Sequence, residues 1–270
     1  MIRTIFTLAL LIATVLYAQE PPAWLPMGNL DRADKIWTFL EIPGTSIILA
    51  AGRADRDEAA VWRSTDGGQS WSRPFHSWYS VEGVRELAFD ANRNIIFACI
   101  SNITGSYLEY DPLWYSTDLG ESWASVAIPT NWGPRAGIHS IALYDNKLYV
   151  ALEEVRTENG NYWGIYSGML YRLDISSADP NDWTWEFVMQ YPELNYLVRL
   201  AVNNGKLLVF GKDYDRDAIR IFTHSLQELN AKATTIGTVG HFKEQIEALK
   251  HNAQQVPAEI NENNTKGDLQ

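Results

Sequence analysis

The chain has 270 residues, a net charge of -11, and 22 Lys and Arg against 33 Asp and Glu. That balance excludes nucleic acid and anionic membrane surfaces as partners, since both need a basic footprint. The length allows a substantial core in one domain or two, and 11 Trp with 13 Tyr supply large apolar area for it.

Residues 1–18 read as a secretory signal peptide. Arg3 gives the positive start, Ile5 to Tyr17 is apolar but for two Thr, and Ala18 is a small residue before the cut. Leu16 occupies the position three before the cut, which leaves the cleavage site open, with an uncleaved anchor as the alternative. The apolar run is short for a spanning helix. The expected location is secreted or periplasmic, with no membrane span after cleavage. Cys99 is the single cysteine, so no internal disulfide framework is expected. It lies in the apolar run Ile95 to Ile100 and reads as a small core residue. Residues 19–31 form an N-terminal segment. Its Trp24-Leu-Pro26 is similar in shape to Trp71-Ser-Arg-Pro74, which makes it a candidate outer strand closing a ring.

Four units with one plan follow. First strands are expected at Lys35–Glu41, Val84–Phe89, Ile138–Leu143 and Leu197–Val202. Each meets a turn rich in Pro, Gly, Asn or Asp, the residues that punctuate hairpins. Second strands are expected at Ile47–Ala51, Ile95–Cys99, Leu148–Leu152 and Leu207–Phe210. Their continuous apolar, β-branched character suits strands covered on both faces. Third strands are expected at Ala60–Arg63, Leu113–Tyr115, Met169–Leu173 and Ile219–Phe222. The units span roughly 32–78, 79–134, 135–193 and 194–236.

The residues Ser64 to Trp71 read Ser-Thr-Asp-Gly-Gly-Gln-Ser-Trp, and Ser116 to Trp123 read Ser-Thr-Asp-Leu-Gly-Glu-Ser-Trp. The two copies start fifty-two residues apart, and recurrence at about that period signals a blade array or a solenoid. The pattern suits a turn. Asp66 and Asp118 are placed to accept backbone N–H groups two residues on. Gly68 and Gly120 tolerate positive φ, and Trp71 and Trp123 open the next strand with a large ring to bury.

This Ser-x-Asp-x-Gly-x-Ser-Trp pattern resembles the Asp box of the sialidase-like (BNR-repeat) β-propellers. The resemblance implies an all-β fold: a β-propeller of four-stranded antiparallel blades, about four in this chain, with a short C-terminal helix. It also implies that the boxes sit on the third-to-fourth strand turns, opposite the binding cleft, with Asp66 and Asp118 structural. The third unit carries a degraded box from Asp174 to Trp185, and the fourth has none.

From Gly240 the pattern changes. Residues 237–257 hold an expected amphipathic helix, with Phe242, Ile246, Leu249 and Ala253 on one face, ended by Pro257. It reads as a cap docked on the propeller, or as a partner-binding or dimerising helix. Residues 258–270 are polar and expected to be disordered.

Binding is expected on the loops joining second to third strands, which differ from one another and carry many functional groups. They are Arg53–Glu58, Ser101–Asp111, Glu153–Gly168 and Lys212–Asp217. Glu153, Tyr162, Trp163, Tyr166, Asp213 and Asp215 are the ligand-binding candidates, since aromatics beside acids suit a sugar or a peptide. Asp213, Asp215 and Asp217 alternate, but Arg216 sits among them. No metal and no cofactor are expected. Asn102-Ile-Thr104 and Asn263-Asn-Thr265 match the glycosylation sequon.

The resemblance also frames an enzyme reading. Ala51-Gly-Arg53 stands where the family places a cleft arginine, and Asp55 or Asp57 would be the acid/base. Glu153, Glu154 or Asp215 would be the partner carboxylate. Two departures weigh against it. Lys35 stands where the family has its first arginine and cannot clamp a carboxylate bidentately, and no Tyr–Glu nucleophile pair matches. The chain therefore reads as a secreted, non-enzymatic binding module for a carbohydrate or an extracellular protein. A sialidase-like glycosidase is the first alternative. A truncated or degenerate propeller without independent activity is the second, prone to self-association if its ring is open.

Overall fold

A computed structural model describes residues 28–77, 83–101, 111–129, 132, 137–158, 161–194, 196–213 and 216–233. For 153–158, 161–167, 196 and 231–233 only the backbone is described. Sheet 1 holds β1 (Ala33–Glu41), β2 (Ile48–Ala54), β3 (Glu58–Ser64) and β4 (Ser72–His76). Sheet 2 holds β5 (Gly83–Asp90), β6 (Ile95–Ser101), β7 (Leu113–Ser116) and β8 (Ala124–Ser125). Sheet 3 holds β9 (Gly137–Tyr144), β10 (Lys147–Glu158), β11 (Asn161–Asp174) and β12 (Thr184–Tyr191). Sheet 4 holds β13 (Tyr196–Asn203), β14 (Lys206–Asp213) and β15 (Ala218–Ser225), followed by α1 (Leu226–Ala233).

Every sheet runs up and down in chain order with antiparallel pairing. The molecule is an all-β propeller-type array, with each sheet a blade. Sheet 4 departs from the expected four strands. Among the described residues it has three, and α1 replaces the expected turn. Leu226 N–H donates to Gly205 O at 2.9 Å, as Gly67 N–H donates to Ser46 O at 3.0 Å and Ile175 N–H to Asn146 O at 3.0 Å. The helix therefore starts where the other blades begin their third-to-fourth strand turn. Leu226 and Leu229, one turn apart, bury against sheets 3 and 4.

The second strands are covered on both faces, as their sequence requires. Leu49 to Ala51, Ile96 to Ile100 and Leu148 to Leu152 are buried throughout. Three layers of side chains fill the gaps between blades. Ala51, Val61 and Phe75 meet Val84, Ile96 and Ile100 between sheets 1 and 2. Phe97, Cys99 and Leu113 meet Ile138, Val150 and Leu152 between sheets 2 and 3. Tyr149, Ala151 and Leu170 meet Leu197, Leu207 and Val209 between sheets 3 and 4. Burial pushes the Cys99 thiol pKa up, which keeps it protonated and inert.

Neighbouring blades also join through their inner strands, β1 to β5, β5 to β9 and β9 to β13. Among the described residues no comparable packing joins sheet 1 to sheet 4. The far face of sheet 1 is floored by Ala50, Ala54, Ala60 and Trp62 and covered by Leu30. Residues 28–32 thus lie on sheet 1, while 24–27 are outside the described residues, as are the expected signal peptide, the 241–255 helix and the tail.

Candidate functional site

The two repeated turns are built alike. The Ser64 hydroxyl donates to Asp66 Oδ1 at 2.7 Å and accepts the Gly68 N–H at 2.8 Å. Asp66 then accepts the Ser70 N–H at 2.9 Å and the Ser70 hydroxyl at 2.5 Å. Ser116, Asp118, Gly120 and Ser122 repeat these four bonds at 2.7, 2.8, 2.9 and 2.5 Å. The aspartates reach the N–H four residues on rather than two. The N–H two residues after the aspartate, that of Gly68, goes to the Ser64 hydroxyl instead. Gly68 and Gly120 adopt φ of 93° and 86°, where a side chain would be strained. Trp71 and Trp123 close the turns by donating from Nε1 to Gly68 O at 2.9 Å and Gly120 O at 3.3 Å. The Ser70 hydroxyl and N–H, with the Ser64 hydroxyl, hold the Asp66 pKa down at about 2. These carboxylates are consumed by their turns.

The loop ends of the blades carry ion pairs. A 3-10 turn at Asp55–Asp57 places Arg56 and Asp57 at φ of 62° and 58°. Arg32 Nε meets Asp55 at 2.5 Å, and its hydrogen bond holds the Asp55 carboxyl below its usual pKa. Arg53 donates to Asp34 at 2.6 Å and reaches Asp57 at 3.0 Å. In blade 4, Asp213 is buried and accepts the Arg216 guanidinium at 2.9 Å and the Arg216 N–H at 3.1 Å. Burial opposes its ionisation, yet the Arg216 bonds outweigh that and keep its pKa low. Asp217 is paired with Lys212. Of the candidates, Glu153, Tyr162, Trp163 and Tyr166 have only their backbone described, in the hairpin of β10 and β11. Asp215 lies outside the described residues.

A cluster that the loops did not suggest sits on the inner strands. Each inner strand bulges at the same place, between Ile36 and Thr38, Val84 and Glu86, Ile138 and Ser140, and Leu197 and Arg199. A bulge inserts one residue and re-aims its neighbours. The inserted residues are Trp37, Arg85, His139 and Val198. The Arg85 guanidinium lies 4.4 Å from the Trp37 ring centroid, a cation–π contact between blades 1 and 2.

In blades 2, 3 and 4 the residue after the bulge builds a second layer. Glu86 of blade 2 accepts the Ser140 hydroxyl of blade 3 at 2.5 Å and the Ile141 N–H at 3.0 Å. The Leu200 N–H of blade 4 donates to Ser140 Oγ at 2.9 Å, and Arg199 reaches Glu86 at 2.8 Å. Burial raises the Glu86 pKa, and Ser140, the Ile141 N–H and Arg199 pull against it. One position in three blades thus forms a polar chain across the inner strands. The only sequence signal was the alignment of Val84-Arg-Glu, Ile138-His-Ser and Leu197-Val-Arg, which read simply as strand starts.

The chemistry follows from these pairs. A glycosidase needs a carboxylic acid with a raised pKa facing a second carboxylate. Asp55 has a lowered pKa and is tied to Arg32, and Asp57 is tied to Arg53. Glu86 has a raised pKa, but both of its oxygens are engaged inside the protein.

No protein-family model matches the chain, and no curated protein matches it in sequence. Among solved structures, one described as NanB plus Optactamide matches over 70% of this chain and 30% of its own, with 19% identity and a TM-score of 0.41. The β-1,2-mannobiose phosphorylase from Listeria innocua matches over 72% of this chain and 58% of its own, with 14% identity and a TM-score of 0.40. An exo-1,5-α-L-arabinanase from a bovine ruminal metagenomic library matches over 68% and 71%, with 10% identity and a TM-score of 0.36. The chain therefore spans less than two thirds of the first two.

Proposed function

We propose that this protein is an exported binding module that presents the loop end of its inner strands to a carbohydrate or protein ligand, without hydrolysing it. The observation that carries the reading is the aligned set of bulges. It leaves the Trp37 ring 42% exposed beside the Arg85 guanidinium, and the Arg199 side chain 57% exposed at the end of the Glu86 chain. An aromatic face beside fixed hydrogen-bond donors suits the apolar face and hydroxyls of a sugar, or an aromatic or acidic peptide side chain. The rigid blades hold these groups before any ligand arrives, which lowers the ordering cost of binding.

The test is a glycan array followed by titration of the hits, with wild type and Trp37→Ala compared. Binding to a subset of glycans, lost by about tenfold or more in Trp37→Ala, is expected for a central aromatic contact. Binding unchanged in Trp37→Ala would move the site elsewhere. Turnover of aryl glycosides that Asp55→Asn or Asp57→Asn abolishes would make the protein a glycosidase. Export is tested separately, by N-terminal sequencing of the protein recovered from its native compartment.

A further inference from the structure

The far face of sheet 4 is apolar and bare among the described residues. The register puts Phe210 beside Ile221, and Leu208 beside Thr223, on the side away from sheet 3. Ile219 and Ile221 are 56% and 59% exposed. Isolated exposed apolar residues need no explanation, but a row of them on one sheet face implies an occupant.

The other end of the array shows how this chain treats such a face. Residues 28–32 lie on the far face of sheet 1, with Leu30 against its floor and the Asp31 carbonyl accepting the Trp62 indole N–H at 2.9 Å. The chain beyond sheet 4 starts from a fixed point. Arg172 of sheet 3 is buried and donates to Leu229 O and to Asn230 Oδ1, each at 3.1 Å, while the Tyr149 hydroxyl donates to Asn230 at 2.9 Å. These bonds hold α1 at the outer edge of sheet 4, where it packs on β12 and β15. The seven residues 234–240 reach about 24 Å when extended, more than the ~10 Å layer of a packed sheet. After them come Phe242, Ile246, Leu249 and Ala253, spaced as one helix face.

We propose that residues 241–255 of the same chain cover the far face of sheet 4, seating this apolar stripe on Phe210, Ile219 and Ile221. A second copy is a poorer occupant, because the net charge of -11 opposes self-association. The inference stands independently of the ligand reading.

The test uses the full chain. Cysteines are placed at Ile219 or Ile221 and at Ile246 or Leu249, one from each pair. Mild oxidation is expected to give a disulfide within one chain, seen as a faster-migrating monomer that reverts on reduction. A disulfide-linked dimer would assign the face to a second copy and overturn the proposal. Two cysteines that stay reduced and react freely with a soluble maleimide would also overturn it. Hydroxyl-radical footprinting of the unaltered chain gives an independent reading. Ile219 and Ile221 are expected to label as slowly as buried Val209, and labelling at the rate of an exposed isoleucine would contradict the proposal.

Discussion

The two ends of the array solve one problem with different floors. Sheet 1 ends in small residues around one large one, Ala50, Ala54 and Ala60 around Trp62. That floor is low enough for backbone to lie on it. At the start of this strap, Gly28 sits so close to the Ser64–Trp71 turn that a Cβ there would come within 2.4 Å of Gln69 O. Arg32 anchors the strap to Asp55 and to Glu58. Sheet 4 ends in tall residues, Ile219 and Ile221 beside Phe210. Tall side chains leave no room for a flat strap but suit the ridge of a helix. Between the ends every face meets another blade, and the layers there are large and fully buried. Terminal units of repeat proteins need a distinct outer face, and the two terminal blades meet that need with residues of different size: a strap on the small floor of sheet 1, and on sheet 4 the helix proposed above.

Substitutions at Trp62, Glu86, Leu30 and Asp66 test this contrast. Trp62→Ala removes the floor that the strap rests on and is expected to cost about 4 kcal/mol, the range for a buried Trp, read as a lower midpoint in chemical denaturation. Glu86→Ala acts between the ends. It strands the buried Ser140 hydroxyl and Ile141 N–H, and two buried donors left unpaired cost about 2–3 kcal/mol. Glu86→Gln keeps part of these bonds and is expected to fall between wild type and Glu86→Ala. A cost for Glu86→Ala no larger than a surface change would mean that the blades are held by apolar layers alone.

Leu30→Ala tests the strap itself. Leu30 is half-buried, so about 1–2 kcal/mol is expected, with faster amide exchange in β3 and none of that change in β14. Uniform loosening of both ends would show that the caps are not independent.

The smallest expected effect is a pH dependence. Asp66 has a folded pKa of about 2 against an ordinary 3.8, so its contribution is complete above about pH 5 and is lost as pH falls through that range to about pH 1. Asp174, which Lys147 and Ser176 hold at about 2 against the cost of burial, acts in the same window. The thermal midpoint of wild type is expected to drop across that window, and less steeply in Asp66→Asn. An equal drop in both proteins would remove Asp66 from the cause.

Much of the architecture was legible because its signals are local. Short apolar runs such as Ile95 to Ile100, closed by Asn and Asp turns, mark buried strands without reference to partners. The turns at Ser64 and Ser116 carry their geometry within eight residues, although the bond to the fourth N–H was not readable from residue type. The bulges were not legible, because one extra residue in a strand leaves no mark in composition. Only the structure aligns Trp37, Arg85, His139 and Val198. The helix α1 was missed because Leu226 and Leu229 make a single turn of periodicity. The pairing of Asp55 was not legible because its partner Arg32 lies far away in sequence on the strap, whereas Arg53 is only four residues before Asp57 and it is the 3-10 turn joining them that residue type does not mark. Of the loop candidates, Asp213 proved to be a buried partner of Arg216, while the side chains of Glu153, Tyr162, Trp163 and Tyr166, and Asp215, lie outside the described residues.

The most direct measurement is the solution mass of the full chain by light scattering over a wide concentration range. If both terminal faces are covered by the chain's own segments, the mass is that of one chain throughout. A mass that climbs with concentration, and falls back to one chain on dilution, would mean that an end is open and that another copy completes it.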